Sequence, residues 1–127
     1  RFDDGAAVSA RGWAQAGELI RREGVWRAEQ LADAFALREA MRGSIANARA
    51  GFGLWIAGST RTRDDAGIDT DLWRNSSLPD DLAMAAGANG ERLYLCQSLG
   101  FVAVRQPRTL GAAWSDQQFL SLLLRDL

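Results

Sequence analysis

Leu82-Ala83-Met84-Ala85-Ala86-Gly87-Ala88-Asn89-Gly90-Glu91-Arg92-Leu93-Tyr94-Leu95-Cys96 is the stretch on which the fold turns. Asn89-Gly90 is a strong hairpin signal, because both residues tolerate the positive φ that tight turns need. Before it, residues 82–86 are short and apolar. After it, Arg92-Leu93-Tyr94-Leu95-Cys96 alternates in character, as a strand does. Residues 97–100 then turn the chain again. Phe101-Val102-Ala103-Val104-Arg105 is predicted as the next strand, antiparallel to the one before it.

The flanking segments supply the layers. Downstream, Ser115 and Gln118 form a Ser-x-x-Gln capping box that opens a helix. Phe119, Leu120, Leu122, Leu123, Leu124 and Leu127 give that helix a wide apolar face, suited to burial against a sheet. Upstream, Phe52-Gly53-Leu54-Trp55-Ile56 reads as a short apolar strand between Gly51 and Gly58. Residues 10–23 are predicted as a helix: Ser9 caps it, Trp13, Ala16 and Ile20 recur at helical spacing, Glu18 and Arg22 pair at i,i+4, and Gly24 closes it at C′. A second helical stripe over 28–41 uses Leu31, Ala34, Phe35, Arg38 and Met41, and Gly43, Ser44 and Asn47 break it. Residues 59–79 are polar, Asp-rich and aperiodic, a long irregular stretch of the kind that carries function. The order predicts an α+β fold: an antiparallel sheet with N-terminal helices and a C-terminal helix packed on it. The last helix covers one sheet face. The other is expected to need a partner, which suggests that part of the fold lies elsewhere.

Composition restricts the chemistry. The 127 residues contain no lysine and no histidine, so all side-chain basic charge is arginine. Arginine stays protonated and cannot serve as a tunable base near neutral pH. A Ser-His-Asp triad, a Ser-Lys dyad and a His-ligated metal are therefore impossible within this chain. The net charge of −1 gives no reason to expect nucleic acid as partner. No apolar run approaches a membrane span. The single cysteine, Cys96, excludes an internal disulfide and leaves the compartment undetermined. The start, Arg1-Phe2-Asp3-Asp4, lacks an initiator Met and a signal segment, and suggests an internal cut, a processed product or a trimmed piece.

Several stretches, taken in order, resemble the C-terminal portion of serine β-lactamase and penicillin-binding-protein-like hydrolases, in the branch of class C β-lactamase-like esterases and 6-aminohexanoate-dimer hydrolases. Ser9-Ala10-Arg11-Gly12-Trp13-Ala14-Gln15-Ala16-Gly17-Glu18-Leu19, followed by Gly24-Val25-Trp26, is similar to a family Ser-Ala-Arg-Asp-x-Ala-x-x-Gly-x-Leu…Gly-x-Trp pattern, with Gly12 where Asp is usual. Phe52-Gly53-Leu54-Trp55 resembles a Tyr-Gly-x-x-Trp strand. Residues 85–95 resemble a Gly-rich hairpin, and 98–105 its partner strand. The resemblance runs from about residue 9 to the end of that strand, and it implies a partial β-lactamase/transpeptidase-like fold over 1–127. It also implies acyl transfer: a Ser-x-x-Lys serine attacks a carbonyl, the lysine and a Tyr-x-Asn tyrosine manage protons, and water releases the acyl group. Both motifs lie upstream in the family and neither occurs here; Tyr94 sits in Leu-Tyr-Leu. The family's third motif falls at Ala85-Ala86-Gly87, where Gly87 matches and Ala85 and Ala86 depart. The departure points away from β-lactam carboxylate recognition and toward an esterase or amidase. By position, Ala88 would give the backbone N–H that forms half of the oxyanion hole, and a backbone donor needs no particular side chain.

The candidate site is therefore Ala86, Gly87, Ala88 and Asn89, set against the plain reading of a bare hairpin turn. Asp64, Asp65, Asp69 and Asp71 lack the EF-hand spacing, Gly and Glu, and read as a solvated loop. Cys96 reads as a small strand hydrophobe, without a histidine to activate it. Trp26 and Trp55 read as core or as the wall of an acyl pocket, and Arg61 and Arg63 as solvated or as contacts for an acidic substrate. No cofactor or metal is expected. The expected partners are an ester, amide or lactam substrate and the missing N-terminal portion, on the same polypeptide or on a separate chain. The alternative is a free-standing α+β binding module that uses its open sheet face or the 59–79 loop, without catalysis.

Overall fold

The computed structural model describes residues 8–48, 50–51, 53–57, 70–72, 77–108 and 113–126. Its central element is the strand that the sequence marks most clearly. Strand β5 (Arg92–Cys96) is buried at every residue. It lies between β4 (Ala83–Ala86) and β6 (Phe101–Arg105), both antiparallel to it. Strand β3 (Trp55–Ile56) adds to the far side of β4, giving the order β3-β4-β5-β6. Its predicted start at Phe52 lies outside the described residues.

Because successive side chains of a strand point to opposite faces, β5 contributes to two cores at once. Tyr94 and Cys96 face Leu72, Leu78, Leu82, Met84 and Leu120, with Phe119 and Leu123 packed against them. Leu93 and Leu95 face Leu54 and Ala83, with Trp13, Ile20, Met41, Val102 and Val104 packed against them. The first core is covered by α3 (Asp116–Leu123), which runs on into a 3₁₀ turn at Leu124–Asp126. The second is covered by α1 (Ala10–Arg21). The fold is thus mixed α+β, as the segment order predicts, but the expectation of a bare second face is corrected. The helical stripe of α1 fills it, and the chain covers both faces of its own sheet.

Gly17 explains how α1 comes so close. It is the buried residue of the helix, and a Cβ there would stand 2.7 Å from Leu93 Cδ1 and 2.8 Å from Val102 Cγ1. Ser9 caps the helix, its hydroxyl oxygen accepting from the Gly12 N–H at 3.1 Å. At the other end the expected closure shifts by one residue. Glu23 takes the left-handed C′ position (φ 52°), and Gly24 (φ 87°) follows it. The Glu23 N–H donates to Ile20 O and the Gly24 N–H to Leu19 O, the two bonds of a Schellman ending. The predicted i,i+4 pair of Glu18 with Arg22 forms at 4.0 Å, and Arg21 joins it as the closer partner at 2.7 Å.

The predicted helix over 28–41 is corrected too. Its first part forms a two-stranded sheet, β1 (Val25–Trp26) with β2 (Glu29–Gln30). The turn between them places Arg27 (φ 49°) and Ala28 (φ 68°) in the left-handed region, which two-residue hairpin turns of type I′ require. Nothing in Arg-Ala advertises that conformation. Helix α2 begins only at Ala34, where Asp33 accepts from the Ala36 N–H at 2.7 Å, and it ends at Ala40. It buries none of its residues, and Leu31 and Phe35 stay exposed.

The close approach at Gly17 gives a direct test. Gly17→Leu is expected to destabilise the chain by about 2 kcal/mol through overpacking against Leu93 and Val102. Gly17→Ala is expected to cost less, because a gain in helix propensity of about 1 kcal/mol offsets the smaller clash. Urea unfolding of the two variants measures both.

Candidate functional site

The turn after β4 holds the four residues singled out from the sequence. Ala86 ends β4 opposite Arg92. The Gly87 N–H donates to Glu91 O at 2.9 Å, and the Gly90 N–H donates back to Gly87 O at 3.1 Å. These bonds close a three-residue loop over 88–90, with Gly90 alone at positive φ (88°). The Asn-Gly signal therefore marks a real hairpin, but one residue longer than the two-residue type. The Asn89 N–H donates to the Glu91 carboxylate at 3.1 Å. Ala88 is exposed, and its N–H makes no hydrogen bond among the described residues. A backbone donor in an exposed turn, with hydrogen-bonded neighbours on either side, is the type of group from which oxyanion holes are built.

Beside this turn lies a polar cluster that sequence reading missed. Asp116 has 0 % of its surface exposed. Its Oδ1 accepts from Arg92 Nε at 3.1 Å, from Trp114 Nε1 at 3.0 Å, and from the Tyr94 hydroxyl. Its Oδ2 accepts from Thr70 Oγ1 at 2.6 Å. Three of these donors converge on Oδ1, the Trp114 N–H being shared with the Tyr94 hydroxyl, so the carboxylate is held from several directions at once. Burial first, and the Asp116 carboxylate second, push the Tyr94 phenol far above its ordinary range. One signal was present in the sequence: Arg92, Tyr94 and Cys96 alternate onto one strand face, and a charge there requires a buried counter-charge.

A second carboxylate tethers the same segments. Asp71 accepts from Ser115 Oγ at 2.6 Å and from the Gln117 N–H at 2.9 Å, at the start of α3. Ser115 in turn accepts from the Gln118 N–H at 3.0 Å, as its capping role predicts. Asp81 does similar work at the other end of the sheet, accepting from the Ser98 N–H and hydroxyl, each at 2.7 Å. Burial alone would raise the carboxyl pKa of Asp71 and Asp81. Their hydrogen bonds outweigh it, and both sit below the usual carboxylate range.

The other candidates separate. Cys96 is buried, 3.3 Å from both Asp81 Oδ1 and Ser98 Oγ, and burial pushes its thiol up, away from the reactive thiolate. Trp55 packs on the core under α3, and Trp26 is half-buried in β1. Asp71 serves α3 as described, while Asp64, Asp65, Asp69, Arg61 and Arg63 lie outside the described residues. Among the described residues, no three His, Cys, Asp or Glu side chains group to hold a metal ion. No helix there is long and apolar enough to cross a membrane.

No protein-family model, no curated protein and no solved structure matches this chain.

Two outcomes follow from the buried carboxylates. Asp116→Ala removes the buried carboxylate that faces Arg92 Nε and is expected to cost about 3 kcal/mol or more in urea unfolding. The depressed carboxyls of Asp71 and Asp81 contribute stability that is complete above their unfolded-state pKa of about 4 and is lost as pH falls through the lower folded-state values. The urea midpoint is therefore expected to fall on acidification below about pH 5, and less steeply in the Asp71→Asn, Asp81→Asn double variant.

Proposed function

We propose that this chain is the C-terminal segment of a β-lactamase-like serine hydrolase. The complete protein cleaves an ester, amide or lactam through an acyl-serine intermediate. Ester or amide fits better, because Ala85 and Ala86 stand where a lactamase-type third motif would be. The attacking serine, the Ser-x-x-Lys lysine and the Tyr-x-Asn tyrosine belong to upstream polypeptide. This chain contributes a wall of sheet, the closing helix α3, and the Ala88 N–H as one of two donors to the oxyanion. Water then attacks the acyl carbonyl carbon and the serine oxygen leaves.

The observation that carries this reading is the pairing of an exposed, uncommitted Ala88 N–H with the ordered family-like stretches around it. The absence of lysine and histidine agrees with a nucleophile and base held elsewhere. The exposed Leu31, just before α2, and Phe35, on an α2 that buries nothing, also agree with a larger body. One observation favours the alternative, a free-standing α+β binding module: helices of this chain already cover both faces of its sheet.

A fluorophosphonate probe separates the two readings. This chain alone is expected to remain unlabelled. The protein extended upstream in frame through a Ser-x-x-Lys and a Tyr-x-Asn motif is expected to label at that serine and to hydrolyse a chromogenic ester. Upstream sequence lacking both motifs, or labelling of a serine within this chain, would overturn the proposal.

A further inference from the structure

Arg105 presents an electrostatic puzzle. It lies directly opposite Arg92 in the β5–β6 pairing, and like charges facing each other across strands are unfavourable. Arg92 is compensated by Asp116 at 3.1 Å. Arg105 turns instead to two other groups. Its guanidinium stacks over the Trp114 ring, 4.3 Å from the centroid, and its Nη1 donates to the carbonyl oxygen of Gly90. Trp114 is itself fixed, because its Nε1–H donates to Asp116 Oδ1 and to the Tyr94 hydroxyl, each at 3.0 Å. A continuous set of contacts thus runs from the buried carboxylate, through the indole and the guanidinium, to the turn after β4. Arg105 also fills the space beside Gly90, where a Cβ would stand 2.9 Å from its Nη1.

We propose that Arg105 is a positioning residue that locks the 87–90 turn, and with it the Ala88 N–H, to the buried Asp116 carboxylate by way of Trp114. The guanidinium suits this task. It is planar and cationic with several N–H donors, so it can sit over the indole while one N–H reaches the carbonyl. A turn closed only by its own backbone bonds can open locally, whereas one also held from β6 must break a second contact first. The lock itself is a property of this chain. Its catalytic consequence rests on the proposed function: an oxyanion donor counts in proportion to how well it is preorganised.

Amide hydrogen exchange on this chain tests the lock without reference to catalysis. In Arg105→Met, protection of the Gly87 and Gly90 amides is expected to drop about tenfold, while the Leu93 and Leu95 amides, which face β4, and the Tyr94 and Ala103 amides, which pair across β5 and β6, keep theirs. Arg105→Lys, which retains charge and a donor, is expected to recover part of the protection. Turn amides within about twofold of the parent in Arg105→Met would overturn the lock. If that variant also loses ladder protection, Trp114→Leu decides, since it removes the shelf and keeps the guanidinium; an unchanged turn there overturns the lock. Contacts between Arg105 side-chain protons and Trp114 indole protons are expected in nuclear Overhauser spectra of the parent chain, and their absence overturns it whatever the variants do. In the upstream-extended protein, Arg105→Met is expected to lower kcat about tenfold with KM little changed. A protein that labels with fluorophosphonate but keeps its kcat in Arg105→Met refutes the positioning role alone, whereas one that never labels refutes the hydrolase reading and leaves the exchange result standing.

Discussion

The buried carboxylate of Asp116 is the constraint around which the described structure is organised. Its donors come from three separate parts of the chain: Thr70 from within the long polar stretch, Arg92 and Tyr94 from β5, and Trp114 from the approach to α3. Hydrophobic contacts hold α3 on the sheet, but they do not fix its position along it. A carboxylate with four specific donors has no equivalent alternative site, so it sets the register of helix on sheet. The same residue stands at the first position of α3, where the partial positive charge of the helix start favours an anion.

Asp71 and Asp81 extend this logic to the chain's irregular parts. The Thr70-Asp71-Leu72 segment exchanges bonds with Ser115-Asp116-Gln117 in both directions: Thr70 donates to Asp116, while Ser115 and Gln117 donate to Asp71. Leu72 follows directly into the core at 0 % exposure. Polar ties and apolar burial therefore act on neighbouring residues, so that neither can be released without straining the other. At the opposite end, Asp81 holds the β5–β6 turn through Ser98, so both turns that flank β5 are tied by groups outside the ladder.

The sequence was most readable where local signals and tertiary demands agree. The strands 92–96 and 101–105, the Ser9 and Ser115 caps and the Gly90 turn all have residues whose intrinsic preferences match their places. Reading failed where tertiary contacts override preference. Arg27 and Ala28 adopt left-handed conformations that neither favours, and the hairpin they make was hidden inside an apparent helical stripe. The covering of the second sheet face by α1 was not legible for a related reason. Gly17 reads as a helix weakener, yet its missing side chain is what lets α1 settle onto Leu93 and Val102 and close the second sheet face. At the site, the turn itself was legible from Gly and Asn. The Asp116 cluster was not, because its members are spread from residue 70 to residue 116 and only the fold assembles them.

The titratable groups bear on what such a structure can do. Among the described residues, the perturbed carboxylates Glu18, Asp71, Asp81 and Glu91 all move down, while Tyr94, Cys96 and Arg21 all move up. Each shift carries its group away from neutrality. A general acid or base works best when its environment pushes the pKa toward the working pH. These environments do the reverse, because each group is engaged in holding segments together or is sealed in the core. None of these seven groups is set to exchange a proton near neutral pH; they serve as ties between segments or as core filling. Under the proposed function such a scaffold suits an oxyanion donor, because the donor must stay where it is while charge develops elsewhere, and side chains committed to holding the chain together keep it there.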